Sequence, residues 1–251
     1  MQIVIPTRGR HHEQITWDGL PPHFQQKTKL VVRADEAHKY DKKYQLLILP
    51  PDVEGIAATR DWIIDTYPDS KVCMLDDDMR FFTRRNDDRT KFRPSFPDDV
   101  AAMLIDVEYM LGKYAHVGIA AREGANRNTD NFMYTTRMMR LLAYDASIIK
   151  KQEFKFAPAT FMCDFHMTLE LLRANYNNII LNNYCNDQKS SNAPGGCSGQ
   201  RTMEGQAEAA LYLAREHRQY VKVVQKKTKT AWGGQMRTDV IVQWKKAYQN
   251  G

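Results

Sequence analysis

The stretch Val72-Cys73-Met74-Leu75-Asp76-Asp77-Asp78-Met79 runs from four apolar residues straight into three adjacent carboxylates. A short apolar run ended by turn formers reads as a buried strand entering a loop. Carboxylates packed that closely repel one another and need a cation. The hard oxygens of Asp suit Mg²⁺ or Mn²⁺, ions held by one or two carboxylates together with substrate phosphates. A metal and diphosphate site at the C-terminal end of a strand is one reading. The plainer one is an acidic turn, because Asp accepts local backbone hydrogen bonds wherever a strand ends.

Outward from that stretch, the order of elements favours a ligand site. Strands are expected over residues 2–5, 29–33 and 44–49, the first ended by Pro6 and the third by Pro50-Pro51. Residues 55–67 show helical spacing through Ile56, Trp62, Ile63 and Tyr67 before the strand at 71–75. Strands alternating with turns and a helix indicate an α/β fold with a central, mainly parallel sheet flanked by helices. Further helices are expected over 97–113, opened by Pro97-Asp98-Asp99, over 164–176, and from a Thr202 cap to about 217. A strand is expected at 117–121, and residues 122–140 read as a long polar loop before the apolar run 141–149.

The whole chain has 251 residues, 43% of them hydrophobic, enough for a sizeable core. Its longest apolar runs are far shorter than the twenty or so residues that cross a bilayer, so a soluble, cytoplasmic protein with no membrane partner is expected. Cys73, Cys163, Cys185 and Cys197 form no Cys-x-x-Cys pair, which speaks against zinc and for reduced thiols. Net charge is +6, and residues 221–251 alone carry seven Lys or Arg against one Asp. There Lys226, Lys227, Lys229 and Arg237 are interleaved with aromatics such as Trp232, a mixture suited to phosphate contact and base stacking. A solvated basic surface is the alternative. One domain is expected, with a nucleotide-binding half at 1–80, an acceptor half at 81–220 and a basic segment at 221–251.

In open α/β sheets, ligands gather beyond the carboxyl ends of the strands. Thr7, Arg8 and Arg10 follow the first strand, Asp35 the second, and Arg60 falls in the helix that precedes the acidic strand. A nucleotide diphosphate needs a base and ribose recogniser, cationic partners for its phosphates and a divalent metal, and these positions supply all three.

In Ile3-Val-Ile-Pro6-Thr7-Arg8, Gly55-Ile-Ala-Ala-Thr-Arg60-Asp61 and Leu75-Asp76-Asp77-Asp78 the sequence resembles GT-A fold glycosyltransferases. More narrowly, Asn186-Asp187, Pro194-Gly195-Gly196-Cys-Ser198, Arg201-Thr202 and Gln243-Trp-Lys-Lys-Ala247 are similar to the phage TET-associated glycosyltransferases, relatives of the base J glucosyltransferases. The resemblance implies a UDP-sugar donor, Mn²⁺ or Mg²⁺, and transfer of a hexose, glucose above all, to hydroxymethylated pyrimidines in DNA, with no protein partner. It assigns Asp78 and Asp76 to the metal, Asp76 and Asp77 to the ribose side, Asp35 to the base, and Pro6, Thr7, Arg8, Arg10 and Arg60 to the nucleotide. The family's acidic pair before a helix falls on Cys163-Asp164, with Cys163 in place of the first acid.

Sugar transfer needs the leaving phosphates neutralised and the acceptor hydroxyl deprotonated. Asp164 is the candidate base, against the alternative that it caps its helix. His166 and Asp187 are open candidates, and a lone His beside an apolar helix is more often structural. Residues 186–201 read as a lid, with Gly195 and Gly196 allowing close backbone approach to phosphates and Arg201 pairing with them, or as a plain surface loop. Arg122, Arg127 and Arg137 in the 122–140 loop are candidates for the DNA side. Two rival functions stay open: a glycosyltransferase acting on a glycan or protein, and a non-catalytic nucleic-acid-binding module.

Overall fold

The computed structural model describes residues 1–188, 202–228 and 234–249. The strands are β1 (Gln2–Pro6), β2 (Thr28–Arg33), β3 (Gln45–Leu49), β4 (Lys71–Leu75), β5 (Met79–Arg84), β6 (Phe92–Pro94), β7 (His116–Ala121), β8 (Phe132–Tyr134), β9 (Leu141–Asp145), β10 (Asn178–Gln188), β11 (Val221–Lys227) and β12 (Met236–Val242). The helices are α1 (Ile15–Asp18), α2 (Pro22–Gln25), α3 (Gly55–Thr66), α4 (Pro97–Met110), α5 (Arg122–Ala125), α6 (Ala146–Lys151), α7 (Cys163–Arg173), α8 (Met203–Glu216) and α9 (Trp244–Gln249).

One large sheet runs β3-β2-β1-β4-β9-β7-β10-β5-β6, with β8 added to β10. Its first four strands are parallel. They carry the sequence-legible half, and the apolar runs of β1, β2 and β4 follow from cover on both faces, whereas the edge strand β3 leaves Ile48 exposed. Alternation sorts their side chains: Ile3, Ile5, Leu30, Val32, Cys73 and Leu75 face α1 and α4, while Val4, Val31, Val72 and Met74 face α3, α6 and α7. Past β4 the sheet is mixed, with β9 antiparallel to β4 and β7, and β10 parallel to β7 but antiparallel to β5.

The outer side of α7 is apolar too. Leu169 and Leu172 pack with Ala209, Ala210 and Leu213 of α8, Val221, Val240 and Ala247, so the β11–β12 hairpin, α8 and α9 form a further layer on α7. Thr202 caps α8 by accepting the Gly205 N–H at 3.0 Å, as expected from its residue type.

Three segments differ from the sequence expectation. The 122–140 loop contains the short α5 and β8. The apolar run at 141–149 splits into β9 and α6, because Asp145 accepts the Ser147 N–H at 3.1 Å and starts a helix. The third is β10, whose Asn-rich second half runs as strand to Gln188. Among the described residues no helix is long and apolar enough to cross a membrane.

Candidate active site

The three carboxylates follow β4 at the C-terminal edge of the parallel strands, and each meets different neighbours. Asp77 is buried against β1: Thr7 Oγ1 donates to its Oδ2 at 2.6 Å and Arg10 pairs with its Oδ1. Arg10 Nη1 also lies 3.1 Å from Asp78 Oδ2. Gln14 steadies the turn by donating to Thr7 Oγ1 at 3.2 Å and to the Arg10 carbonyl at 2.7 Å. Thr16 closes it from below, donating to the Asp76 carbonyl at 2.5 Å and accepting the Met79 N–H at 2.8 Å. These bonds pin the backbone of the triplet while the Asp76 side chain stays 38% exposed.

Burial works against the charge of Arg10, yet Asp77 and then Asp78 raise its pKa above the ordinary value. Burial likewise pushes the Asp77 carboxyl up, against the Thr7 hydrogen bond and Arg10. Asp76 goes furthest. Desolvation, with Asp78, Asp77 and Asp164 adding repulsion, pushes it up to about 6 although Arg60 opposes the shift. By geometry, four carboxylates, Asp76, Asp77, Asp78 and Asp164, pair here with three arginines, Arg10, Arg60 and Arg137, an excess of acid that favours a bound cation.

Arg60, on the second turn of α3, is buried and joins two parts of the site. Its Nη2 lies 3.8 Å from Asp76 Oδ1, and its Nη1 donates to Cys163 Sγ at 3.0 Å. Desolvation opposes its charge, but Cys163, Asp76 and Asp164 together hold its pKa above the ordinary value. Asp164, in the first turn of α7, has its Oδ2 3.4 Å from Arg137 Nη2. A cleft of about 430 Å³ opens between the first turn of α3 and the 157–161 segment, lined by Gly55, Ala57, Ala58, Pro158 and Phe161 among others, and none of Asp76, Arg60 or Asp164 lines it.

Other candidates fall elsewhere. Pro6 ends β1, and Arg8 is exposed on the loop after it. Asp35 is exposed beyond β2 and accepts from Arg33 Nε at 3.3 Å. Asp187 sits opposite Arg80 in the β10–β5 register, half-buried. Lys226 and Arg237 both pair with Asp239, at 3.4 and 2.6 Å, on the β11–β12 hairpin, and Lys227 is exposed beside them. Gly195, Gly196, Arg201, Lys229 and Trp232 lie outside the described residues.

His166 faces away from Asp164, toward α8. Its Nδ1 is 2.8 Å from His217 Nε2, and Arg173 Nη1 is 3.2 Å from His217 Nδ1. Arg can only donate, so His217 Nδ1 accepts and its Nε2–H donates to His166. Desolvation keeps both rings neutral, lowering His166 to about 4 and His217 to about 3. Ligand atoms of His166, Glu170 and His217 lie within 4.8 Å of one another. A cation bound there would have to take the Nε2 proton of His217 while Arg173 still faced its Nδ1. The arrangement fits a hydrogen-bonded clasp between α7 and α8 better than a metal centre.

Sequence reasoning gave no role to Gln14 or Thr16 and none to Arg140, whose carbonyl accepts the Asp76 N–H at 2.9 Å. Thr16 is linked to the triplet only by the fold, and nothing in its local sequence reveals it.

A crystal structure of residues 1–349 of S. aureus TarS in complex with UDP is similar at a TM-score of 0.47 and 12% identity, covering 86% of this chain and 65% of that one. Beta-glucosyl-HMC-alpha-glucosyl-transferase of Enterobacteria phage T6 is 24% identical over 233 residues, 86% of this chain and 81% of the relative. The phage T2 protein of the same name is 25% identical over 234 residues, with the same coverage. The family model described as TET-Associated Glycosyltransferase matches residues 1–196, and the chain belongs to that family.

Proposed function

We propose that this glycosyltransferase moves glucose from UDP-glucose to the hydroxymethyl group of a modified pyrimidine, 5-hydroxymethylcytosine or 5-hydroxymethyluracil, in DNA. The observation that carries the proposal is the meeting of an under-neutralised acidic cluster with Arg60 and Asp164 at one sheet edge. In this reading Pro6, Thr7, Arg8 and Asp35 receive the nucleoside, and Asp76 and Asp78 hold Mn²⁺ or Mg²⁺. The donor set fits such an ion: all-oxygen, doubly acidic and pinned by backbone hydrogen bonds. The bound ion supplies Lewis-acid neutralisation of the diphosphate.

The chain's own residues do the rest. Arg60 steadies Asp76 from below and, through Cys163, the start of α7. Asp164 accepts the proton of the acceptor hydroxyl as that oxygen attacks the anomeric carbon, and the bond from that carbon to the β-phosphate oxygen breaks to release UDP. The acceptor base is either flipped out of a duplex or presented on a single strand.

The relatives' printed name favours a second reading, in which the acceptor hydroxyl belongs to a glucose already attached to hydroxymethylcytosine. Both are tested by incubating the protein with UDP-glucose, Mn²⁺ and DNA carrying hydroxymethylcytosine or its glucosylated form, then weighing the nucleosides by mass spectrometry. Added hexose on the first substrate supports the proposal, and on the second alone the alternative. None on either, across several donors, rejects both.

A further inference from the structure

Asp164 is followed in α7 by Phe165, which is half-buried and stands beside two partners from distant parts of the chain. The Arg137 guanidinium lies 4.0 Å from its ring centroid, and Trp244, the first residue of α9, lies 5.5 Å away at an interplanar angle of 37°. The same guanidinium reaches Asp164 Oδ2 at 3.4 Å. One edge of Arg137 therefore meets the candidate base and one face meets an aromatic ring. Its side chain is still 40% exposed.

The loop that presents Arg137 is held at both ends. Thr135 has φ 52° and Arg140 φ 69°, backbone that side-chain-bearing residues rarely adopt and that persists only where the surroundings enforce it. Here Thr135 Oγ1 donates to Asn177 at 2.8 Å, while Asn178 accepts the Thr136 N–H at 3.1 Å and donates to the Thr136 carbonyl at 2.7 Å. Met138 is buried against Gly118, where a Cβ would come within 2.9 Å of its sulfur. Arg140 then accepts the Asp76 N–H. One rigid loop thus touches the acidic cluster with Arg140 and the base residue with Arg137.

Resting on the DNA reading above, we infer that Arg137, Phe165 and Trp244 form the platform on which the acceptor nucleobase stacks, and that Arg137 also orients Asp164 toward the acceptor hydroxyl. Guanidinium planes and aromatic rings are the surfaces on which unstacked bases lie, largely independent of sequence. The exposed Lys245 and Lys246, next to Trp244, meet the flanking phosphates. Arg137 is in this sense a positioning residue as well as a binding one.

The test compares Phe165→Leu, Trp244→Leu, Arg137→Lys and Arg137→Met with the wild type, on an oligonucleotide containing hydroxymethylcytosine or its glucosylated form, whichever the wild type modifies. The two Leu variants should raise the acceptor KM about tenfold or more with kcat little changed. Arg137→Met should lower kcat as well, and Arg137→Lys should recover part of kcat but not KM, because a point charge replaces the planar fork. UDP affinity by calorimetry and the melting temperature check that each variant is folded. Unchanged acceptor KM in both Leu variants of an enzyme that modifies DNA overturns the platform and leaves the DNA reading intact. If the wild type modifies no DNA, that reading fails instead. Oligonucleotide anisotropy then judges the platform alone, equal affinity in wild type and Phe165→Leu overturning it.

Discussion

Arg60 and Cys163 are joined by a 3.0 Å hydrogen bond from guanidinium to sulfur, in a buried position beneath the acidic cluster. The resemblance to the family implies a carboxylate where this chain has Cys163, so the thiol occupies the position expected of a counterion. Removing it leaves a buried charge with fewer partners, and Cys163→Ala should cost about 1–3 kcal/mol. Cys163→Asp, which restores a carboxylate beside the guanidinium, should be better tolerated than Ala. Urea unfolding of the three proteins checks this, and equal midpoints would show that the contact carries no weight.

Thr7 is the neutral donor that holds Asp77 in place. Thr7→Val keeps the shape and removes the hydrogen bond to a charged acceptor, worth about 1.5–3 kcal/mol. The loss should appear both in the urea midpoint and as a raised KM for the donor, because the turn that carries Asp76 and Asp78 loosens with it. A variant with wild-type values of both would mean that Arg10 alone suffices.

Asp164→Asn keeps the size of the side chain and removes its basicity. A fall in kcat of about 10²–10⁴-fold with unchanged UDP affinity is expected of a general base. Product stereochemistry gives a sharper check. UDP-glucose carries its sugar in the α configuration, and single displacement assisted by Asp164 yields a β linkage. An α-linked product, determined by NMR of the released nucleoside, would exclude that role.

The clasp between His166 and His217, together with His116, should make stability depend on pH in a definite sense. Burial lowers His166 and His116 to about 4 and His217 to about 3, all below the ordinary 6.5. The unfolded chain therefore takes up protons first as pH falls. Their stabilising effect is complete above pH 6.5 and is lost progressively toward pH 4. Raised carboxyls such as Asp76 titrate in the opposite sense within that window, so the measurement is a difference. The unfolding free energy of His217→Gln should vary less between pH 7.5 and 5 than that of the wild type. Parallel curves would remove the imidazole contribution.

The parallel half of the molecule is readable because β1, β2 and β4 are buried on both faces and therefore mostly apolar, and β3, at the edge, keeps an apolar run between turn formers. Thr7, Arg10 and the three carboxylates come together simply because they end adjacent parallel strands. β10 was hidden because its polar side chains serve distant arginines: Asn183 accepts from Arg89 at 3.0 Å and Asn186 from Arg140 at 3.2 Å. Arg84 is buried in β5 and donates to the carbonyls of Asn182, Arg89 and Ala125, an arrangement invisible to local patterning. His166 was drawn toward the site by its closeness in sequence to Asp164. Helical geometry, at about 100° per residue, turns it to the opposite face.

The same geometry sets a rule for how this enzyme can diverge. With α7 wedged between the sheet and the C-terminal layer, its rotational phase is locked by Met167 and Leu171 on one side and Leu169 and Leu172 on the other. Drift in residue identity along that helix is absorbed by repacking. A single inserted or deleted residue between Asp164 and Met167 would swing the carboxylate a quarter turn or more out of register with Arg60. Lineages that retain the chemistry should therefore vary the spelling of this segment while keeping its length constant.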